Sequence, residues 1–343
     1  MKDAKGGEVD FNGEPVTRRA PQAVCDARGE IVSGTYLGAP ADTSLERRSR
    51  SRLGRLKREK RWCWWGVMDH EVAMGSAIIE LGYVSQGFVW LFDRTTGQFL
   101  YDEEFTRNPG AASVSSAPLA TEVASFACGK KERWRVARGA RGSDVRSALE
   151  GRADALSWDI ALEAPEEGAP SITGIFTGRE RAHVNTTVKQ VGLSARGTIA
   201  IGSRSFALTQ DALGLMDYTH GLLQRETYWR WAIGAGVGEG GERIGFNVVS
   251  HFNDGLENVV WLDGKPHVLG EVEIAWDEEG ALWRVTGAGT QLELVVEGTR
   301  RADKDLVVAA SRYRQPIGQW RGEVAGVSIA RAWGVAEEHM ARW

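Results

Sequence analysis

The residues best suited to acid–base chemistry lie in the second half of the chain. Asp217 and His220 stand three positions apart in the stretch DALGLMDYTHGLL. A carboxylate beside an imidazole orients and charges the histidine, which titrates near neutrality, so the two side chains suit proton transfer. The following Gly221 predicts that the pair lies in a loop between strands. Two interpretations stay open: a catalytic pair, or an Asp217 that caps a turn beside a partly exposed His220.

A second group of polar residues follows the predicted strand RIGFNVVSH. Successive side chains of a strand alternate between its two faces, so Asn247 and His251 share one face and Phe246 lies on the other. The polar face either lines the lumen of a small barrel, where it contacts a ligand, or faces solvent beside an ordinary Asn-Asp-Gly turn. In the first case the catalytic candidates are His251 and Asp254, and the binding candidates are Asn247, Glu257 and Asn258.

The predicted strand ETYWRWAIG combines tryptophan with arginine. Alternation places Trp229 and Trp231 on one face and Arg230 on the other. Arg225 and Arg230 are candidates for binding an anionic group of a substrate, and pairing with a neighbouring glutamate is the alternative. The tryptophans either fill a barrel core or line a lumen in which they stabilise a developing carbocation through cation–π attraction.

Other patterns argue against metals and cofactors. The glycines of the GxGxxG match at residues 236–241 lie between two predicted strands, with no helix start to hold a pyrophosphate. The six histidines never occur at HxH or HxxxH spacing, and the three cysteines form no CxxC pair. We therefore expect no metal, no cofactor and no disulfide framework.

The elements around these candidates are predominantly strands. From Trp62 onward, aromatic and β-branched stretches alternate with turn signals such as Asp93–Gly97 and Asp263–Gly264, and helical periodicity is rare. The pattern predicts an all-β fold of two antiparallel barrels or sandwiches, with a short basic helix or connector before them. We expect an N-terminal extended segment and connector over residues 1–61, a first barrel over 62–180 and a second over 181–343. The stretch EAPEEGAP at residues 163–170 is the predicted connection between the barrels.

Composition and charge limit the classes of binding partner that are expected. The net charge is −4, from 42 basic and 46 acidic residues, which gives no reason to expect a nucleic-acid partner. Residues 47–61 carry nine basic side chains, which either form a solvated face or make a weak peripheral contact with anionic lipid. Neither a signal peptide nor an apolar run of membrane-spanning length is evident, so a soluble, cytoplasmic protein is expected.

Five stretches resemble a known bacterial family over nearly the whole chain. They are VCDARGEI from Val24, RWCWWGVMD from Arg61, DALGLMDYTHGLLQRETYWRWA from Asp211, GFNVVSHFNDGLENVVWLDGKPH from Gly245 and AEEHMARW from Ala336. Together they resemble the domain-of-unknown-function family 2804, which is distantly similar to carotenoid 1,2-hydratases and AttH-type proteins. The resemblance implies two lipocalin-like barrels, and it implies relatives that act as hydratases, cyclases or Diels–Alderases.

The resemblance also bears on the function expected here. Asp217 matches an aspartate in the relatives' motif at the start of the second barrel, but the acidic residue and tryptophan that follow it there are absent. We expect a metal-independent hydratase, isomerase or cyclase that acts on a hydrophobic isoprenoid-like or lipid molecule. The alternative, which the missing motif residues favour, is a carrier that binds a lipid or pigment without converting it.

Overall fold

The structure is a computed structural model that describes residues 13–129, 131–138, 146–164, 171–178, 183–287, 289–306 and 309–343. The predicted all-β fold is confirmed, because the described residues form two curled antiparallel sheets. The first sheet contains β1 Gly34–Leu37, β2 Glu59–Met68, β3 Val72–Glu80, β4 Ser85–Asp93, β5 Gln98–Arg107, β6 Ala112–Val114, β7 Glu122–Cys128, β8 Glu132–Arg138, β9 Arg146–Ala153, β10 Leu156–Glu163, β11 Ile172–Thr177, β12 Val184–Ile201, β13 Arg204–Ala207 and β14 Leu213–Leu222. The second contains β15 Glu226–Gly238, β16 Arg243–Ser250, β17 Val259–Leu262, β18 Lys265–Val268, β19 Val272–Trp276, β20 Leu282–Gly287, β21 Thr290–Leu306, β22 Ala309–Val324 and β23 Val327–Arg342.

Strands such as β10 alternate apolar and polar side chains, and this alternation explains which of their residues are buried. In β10, Leu156, Trp158 and Ile160 are buried, whereas Ser157 and Asp159 between them are exposed. One face of such a strand packs on a core and the other meets water. Strands β2 to β4 differ, because most of their residues are buried and the others are partly buried. Both of their faces therefore pack against protein.

The two faces of these central strands belong to different cores. Trp65 and Met74 face the core inside the first sheet, whereas Trp64 and Trp90 face a core shared with the second sheet. A third core, which includes Trp320, fills the inside of the second sheet. The shared core matters for function, since the residues that the two sheets bring together there come from distant parts of the sequence.

The chain changes sheet later than the predicted division at residues 180 and 181. Strand β12 pairs with β10 and β11, and β14 pairs with β12 and β2, so residues up to Leu222 belong to the first sheet. The second sheet begins with β15 at Glu226. Turn signals mark where strands end but carry no information on which strand pairs with which, so this crossing was not evident from the sequence. Of the predicted connection, residues 165–170 lie outside the described part of the chain.

The short basic helix near the N-terminus is confirmed. Helix α1 spans Arg52–Arg58, and the Ser51 side chain caps it by accepting a hydrogen bond from the Gly54 amide at 3.1 Å. None of its residues is buried. In the described part of the chain, no helix combines the length and apolar character needed to cross a membrane.

Candidate functional site

An open pocket lies between the two sheets and occupies about 1200 Å³, including the part that opens to solvent. Strands β2, β3, β4, β12 and β14 contribute one wall, and β15, β16, β21, β22 and β23 contribute the other. The walls are largely aromatic, and they include Trp62, Trp64, Phe88, Trp229, Trp231 and Tyr313. Its size and apolar walls suit a small hydrophobic ligand.

A buried lysine joins two carboxylates in the pocket wall. The Lys189 Nζ lies 2.7 Å from Asp217 Oδ1 and 2.9 Å from Glu257 Oε2, and the three side chains are only 5, 9 and 3 % exposed. Lys189 on β12 and Asp217 on β14 are direct partners in the strand register, which brings them together although they are far apart in sequence. Burial opposes the charged lysine, but the Asp217 and Glu257 charges outweigh it and raise the pKa of Lys189 above its ordinary value.

Hydrogen bonds hold both carboxylates of this cluster in place. Asp217 accepts from the Trp62 indole N–H at 3.1 Å and from the hydroxyls of Thr187 and Thr219 at 3.2 and 3.3 Å. Glu257 Oε1 accepts from the Asn253 side-chain amide at 2.5 Å. These donors fix the orientation of both carboxylates beside the lysine, and the three residues together are the Lys189 cluster, two carboxylates and one ammonium.

Asn247 braces the Glu257 side of this cluster. Its side-chain amide donates to the Glu257 carbonyl oxygen at 2.8 Å, and its Oδ1 accepts from the Trp231 indole N–H at 2.7 Å. Asn247 is fully buried. It therefore links an aromatic wall residue to the loop that carries Glu257.

Glu337 faces the pocket from β23 of the second sheet. It accepts hydrogen bonds from the Trp229 indole N–H at 2.8 Å and from the Gln315 amide at 3.1 Å, and it is 6 % exposed. No cation among the described residues forms an ion pair with it. Burial raises the pKa of Glu337 to about 7, the negative charge of Asp217 adds to the rise, and hydrogen bonds, including those from Trp229 and Gln315, limit it. Near neutral pH, the protonated acid and the carboxylate are therefore both populated.

Two stacked tryptophans connect the carboxylates of opposite walls. The Trp62 and Trp229 rings lie 5.9 Å apart with an interplanar angle of 12°. Trp62 donates to Asp217 of the first sheet, and Trp229 donates to Glu337 of the second. Each indole N–H donates a hydrogen bond to a carboxylate, and this bond fixes the orientation of the ring. Only the apolar surface of each ring is then left to contact a ligand.

His339 lies two residues beyond Glu337 on β23 and also lines the pocket. Its Nε2 is 2.8 Å from the Ser311 hydroxyl, and its ring contacts those of Trp229 and Tyr313 with centroids 4.4 and 5.2 Å apart. Burial among these rings lowers the pKa of His339 to about 3. His339 is therefore neutral at physiological pH and supplies a polar, uncharged contact.

Asp217 and His220 do not form the predicted pair. Both lie within strand β14, so the predicted loop at this position is wrong. Side chains three positions apart on a strand point to opposite faces, and Asp217 accordingly faces the pocket whereas His220 does not. Strand pairing of β14 with β2 and β12 overrides the local turn signal of Gly221.

His220 belongs to a separate buried network. Its Nδ1 is 2.8 Å from the Thr43 hydroxyl, and its Nε2 is 2.9 Å from Glu59 Oε1 and 3.1 Å from Arg61 Nε. Burial lowers the pKa of His220, while the hydrogen bonds from His220 and Arg61 outweigh burial and lower the pKa of Glu59 to about 2. Since His220 is fully buried, the network fastens the segment around Thr43 to β14 and β2 and does not reach the pocket.

The His220 network predicts acid sensitivity of the fold. A histidine with a lowered pKa in the folded state binds its proton mainly after unfolding, so stability is lost as the pH falls below the ordinary value of 6.5. We expect the thermal unfolding temperature to fall between pH 7.5 and pH 5.5, and to fall less in His220→Gln, which does not titrate. The exposed His251→Gln is the control. An unchanged pH dependence in His220→Gln would contradict this prediction.

The polar residues predicted around the end of the strand RIGFNVVSH do not all reach the pocket. The alternation predicted for β16 is confirmed, because the Asn247 side chain contacts Trp231 of the pocket wall whereas Phe246 packs in the third core, inside the second sheet. Glu257 lines the pocket. Asn258 braces its loop instead, since its Oδ1 accepts from the Val249 amide at 2.7 Å and its Nδ2 donates to the Gly270 carbonyl at 3.1 Å.

His251 and Asp254 lie outside the pocket, which corrects their predicted position. Strand β16 ends at Ser250, and both residues have positive φ angles, 65° and 46°, in the turn that follows. Alternation no longer applies there, and both side chains are exposed. His251 Nε2 is 3.7 Å from the exposed carboxylate of Glu273.

The tryptophans of β15 and Arg230 lie on opposite faces of the strand, as the alternation predicted. Trp229 and Trp231 line the pocket. Arg230 lies on the opposite face, 2.7 Å from Glu273 Oε1 and with its guanidinium 4.6 Å from the centre of the Trp276 ring, so the alternative of glutamate pairing holds for it. Arg225 is exposed and donates to the main-chain oxygen of Trp343 at 3.2 Å. Neither arginine lines the pocket.

Among the pocket residues that the sequence analysis missed, three matter most for the chemistry of the site: Lys189, Glu337 and His339. A signal for two of them was present, because Glu337 and His339 stand two positions apart in AEEHMARW and therefore share a face of any strand formed there. Lys189 had no comparable signal. Its environment depends on β14 and on the Glu257 loop, which are remote in sequence.

The arrangement of the two sheets is shared with solved structures. Three of them match most of this chain in fold. Kievitone hydratase from Nectria haematococca is similar over 96 % of this chain and 98 % of its own, with a TM-score of 0.53 at 10 % identity. CghA with Sch210972 is similar over 95 and 97 %, with a TM-score of 0.56 at 10 % identity. A putative AttH from Nitrosomonas europaea is similar over 82 and 92 %, with a TM-score of 0.52 at 12 % identity.

The chain belongs to the family described as domain of unknown function (DUF2804), whose sequence profile matches residues 15–343. The resemblance seen in the sequence is thereby confirmed. At 10–12 % identity, the likeness to the solved structures shows a shared fold and carries no catalytic residue over to this chain. No match was found among the curated proteins.

Proposed function

We propose that this protein binds a hydrophobic small molecule, an isoprenoid-like or other lipid compound, between its two sheets and converts it by proton transfer. Hydration, isomerisation and cyclisation are the reactions of this type. The observation that carries the proposal is the position of Glu337, a carboxyl group that is buried in the pocket wall and has no ion-pair partner among the described residues. This burial raises its pKa to about 7. An acid is most useful in catalysis when its pKa lies near the working pH. The fold shared with kievitone hydratase supports the same class of reaction.

Glu337 is the proton donor in this proposal. In a hydration, its proton passes to one carbon of a C=C bond, the π electrons form the new C–H bond, and the other carbon becomes cationic. A water molecule attacks that carbon and then loses a proton to the Glu337 carboxylate. The sum is addition of water with the catalyst restored. In an isomerisation, the cation instead loses a proton from a neighbouring carbon to the carboxylate.

The Lys189 side of the pocket stabilises the developing positive charge, whereas the cations Arg300, Lys304 and Arg342 line another part of the pocket. Lys189, Asp217 and Glu257 together carry a net negative charge, which lies near Glu337 and favours a cation in the ligand space. The apolar faces of Trp62 and Trp229 contribute cation–π attraction. Asp217 thus acts through its charge, which replaces the acid–base role with His220 that the sequence suggested.

A carrier that binds lipid without converting it has no need for Glu337. Burying a carboxyl group costs stability unless the group does something that the protein requires. Apolar walls alone hold a hydrophobic ligand, so the protonated acid favours the catalytic proposal over the carrier. The cytoplasmic location stays a prediction of the sequence.

The direct test begins with the ligand. The protein is purified from its own host, examined by native mass spectrometry and extracted with organic solvent, and the extracted compound is then incubated with the protein in D2O. We expect an apolar compound to co-purify and to gain deuterium on carbon in the presence of protein. A compound that returns unchanged would contradict catalysis and would favour the carrier.

A pair of matched variants tests where the ligand binds. Ala302→Trp places a large ring at a half-exposed position of the pocket wall, whereas Ala200→Trp places the same ring at a half-exposed strand position away from it. We expect Ala302→Trp to abolish co-purification of the ligand and Ala200→Trp to retain it. Equal retention in both variants would place the ligand elsewhere.

A further inference from the structure

Helix α1 presents leucines to solvent. Arg52, Leu53, Leu56 and Lys57 share one face of the helix, because residues three and four apart are neighbours on a helix surface. All four are exposed, and Leu53 and Leu56 reach 64 and 45 %. A helix that only covers a core buries its leucines and exposes its charges. Here the leucines face outward, between two cations.

The helix is attached to a turn that lines the pocket. The buried Lys60 Nζ donates to the Lys57 carbonyl at 2.8 Å and to the Leu81 carbonyl at 3.1 Å, which ties the end of α1 to the turn between β3 and β4. Gly82 in this turn lies so close to the helix that a Cβ atom there would be 2.9 Å from the Leu56 carbonyl oxygen. Leu81 and Tyr83 of the same turn line the pocket, and Tyr83 is 37 % exposed.

A second contact ties α1 to the link between the sheets. The Leu223 amide donates to the Arg58 carbonyl at 2.9 Å, and the Arg58 Nε donates to the Leu223 carbonyl at 3.2 Å. The helix therefore sits on a defined rim and is not a loose appendage. Its exposed face lies beside the turn whose partly exposed Tyr83 lines the pocket.

The segment that contains α1 is rich in basic residues. Residues 47–58 contain seven basic residues and no acidic residue, with Glu46 and Glu59 directly on either side, although the whole chain has a net charge of −4. Arg55 is paired with Glu59 and Glu46 at 3.4 and 3.6 Å. Arg52 and Lys57, which flank the leucines, form no ion pair with any carboxylate of the described residues. Their charges are available to an anionic partner.

We propose that the outward face of α1 docks on a bilayer that contains anionic lipid and so places the pocket mouth against the membrane surface. Exposed leucines between cations are the pattern of helices that lie in a membrane interface, where apolar side chains enter the headgroup region and basic ones meet lipid phosphates. The face of one seven-residue helix is too small for a stable protein–protein interface. The docking goes beyond the proposed reaction and does not depend on it.

Vesicle flotation tests the docking. The full chain is floated with vesicles of phosphatidylcholine alone and of phosphatidylcholine mixed with phosphatidylglycerol, with no substrate present. We expect flotation with the anionic vesicles only, weakened by added salt. Arg52→Gln/Lys57→Gln removes two cations and should weaken the binding by about thirtyfold. Leu53→Ser/Leu56→Ser should weaken it by about tenfold or more, since it removes the inserted side chains.

Matched variants keep the test specific. Arg133→Gln/Arg196→Gln removes the same charge from exposed positions on β8 and β12 and should float like the unmodified chain. Glu337→Gln should also float normally, which separates docking from catalysis. All substituted α1 residues are exposed, and circular dichroism checks that the variants are folded. Absence of flotation, or normal flotation of the leucine variant, would overturn the proposal. A dimer that the leucine variant converts to monomer in sedimentation would do the same, because a second copy would then cover this face.

Discussion

Replacing Lys189 by methionine is expected to lower the free energy of unfolding by about 3–5 kcal/mol, because the change leaves buried charge without its partner. Lys189 contacts Asp217 at 2.7 Å and Glu257 at 2.9 Å, and the structure gives neither carboxylate a second cation among the described residues. Methionine fills a similar volume but carries no charge. The decrease in the free energy of unfolding therefore reports mainly the cost of burying two carboxylates without a cation, and only to a small extent a loss of packing.

Urea unfolding at pH 7, followed by tryptophan fluorescence, measures this effect. The control is Lys131→Met, since the Lys131 side chain is 73 % exposed and only 4.0 Å from the exposed Asp154 carboxylate. Such an exposed pair contributes little, so we expect a change within about 0.5 kcal/mol. A loss below about 1 kcal/mol in Lys189→Met would show that Asp217 and Glu257 do not depend on the lysine.

Glu337→Gln is expected to reduce turnover of the substrate by about 10²- to 10⁴-fold, the usual contribution of a positioned general acid. Glutamine keeps the shape of the side chain and can still accept the Trp229 hydrogen bond, but it has no acidic proton to donate. Glu338→Gln is the matched control. Glu338 is the next residue on β23 and faces the other way, where it pairs with Arg314 at 2.9 Å and accepts from Tyr228 at 3.0 Å. Unchanged turnover in Glu337→Gln would exclude it as the acid.

Two pH profiles provide an independent check on Glu337. Its protonated form is the donor, so kcat/KM should fall as the pH rises through about 7. The same raised pKa makes the fold less stable as the pH increases from the ordinary value of 4.5 to about 7, because the buried acid must ionise in the folded state. Glu337→Gln should remove this stability decrease, which a group without a raised pKa would not produce.

The sequence by itself determined the fold class and the local faces of several strands. Alternation in ETYWRWAIG placed Trp229 and Trp231 together and Arg230 on the opposite face, and the structure confirms both. Periodicity of two is a local property of the backbone, so it requires no knowledge of distant residues. The basic stretch before Trp62 likewise indicated helix α1, and the quoted motifs indicated the family.

Only the tertiary structure decided which of these faces form a site. Asp217 meets Lys189 because β14 pairs with β12, and Glu337 comes to the same pocket from the other sheet. The partner of His220 is Glu59, more than 150 residues earlier in the chain. Local signals placed Asp217 and His220 in a loop, whereas strand pairing set them on opposite faces of β14. Strand order and the packing of one sheet on another depend on contacts between remote residues, and a single sequence does not encode those contacts in any local pattern.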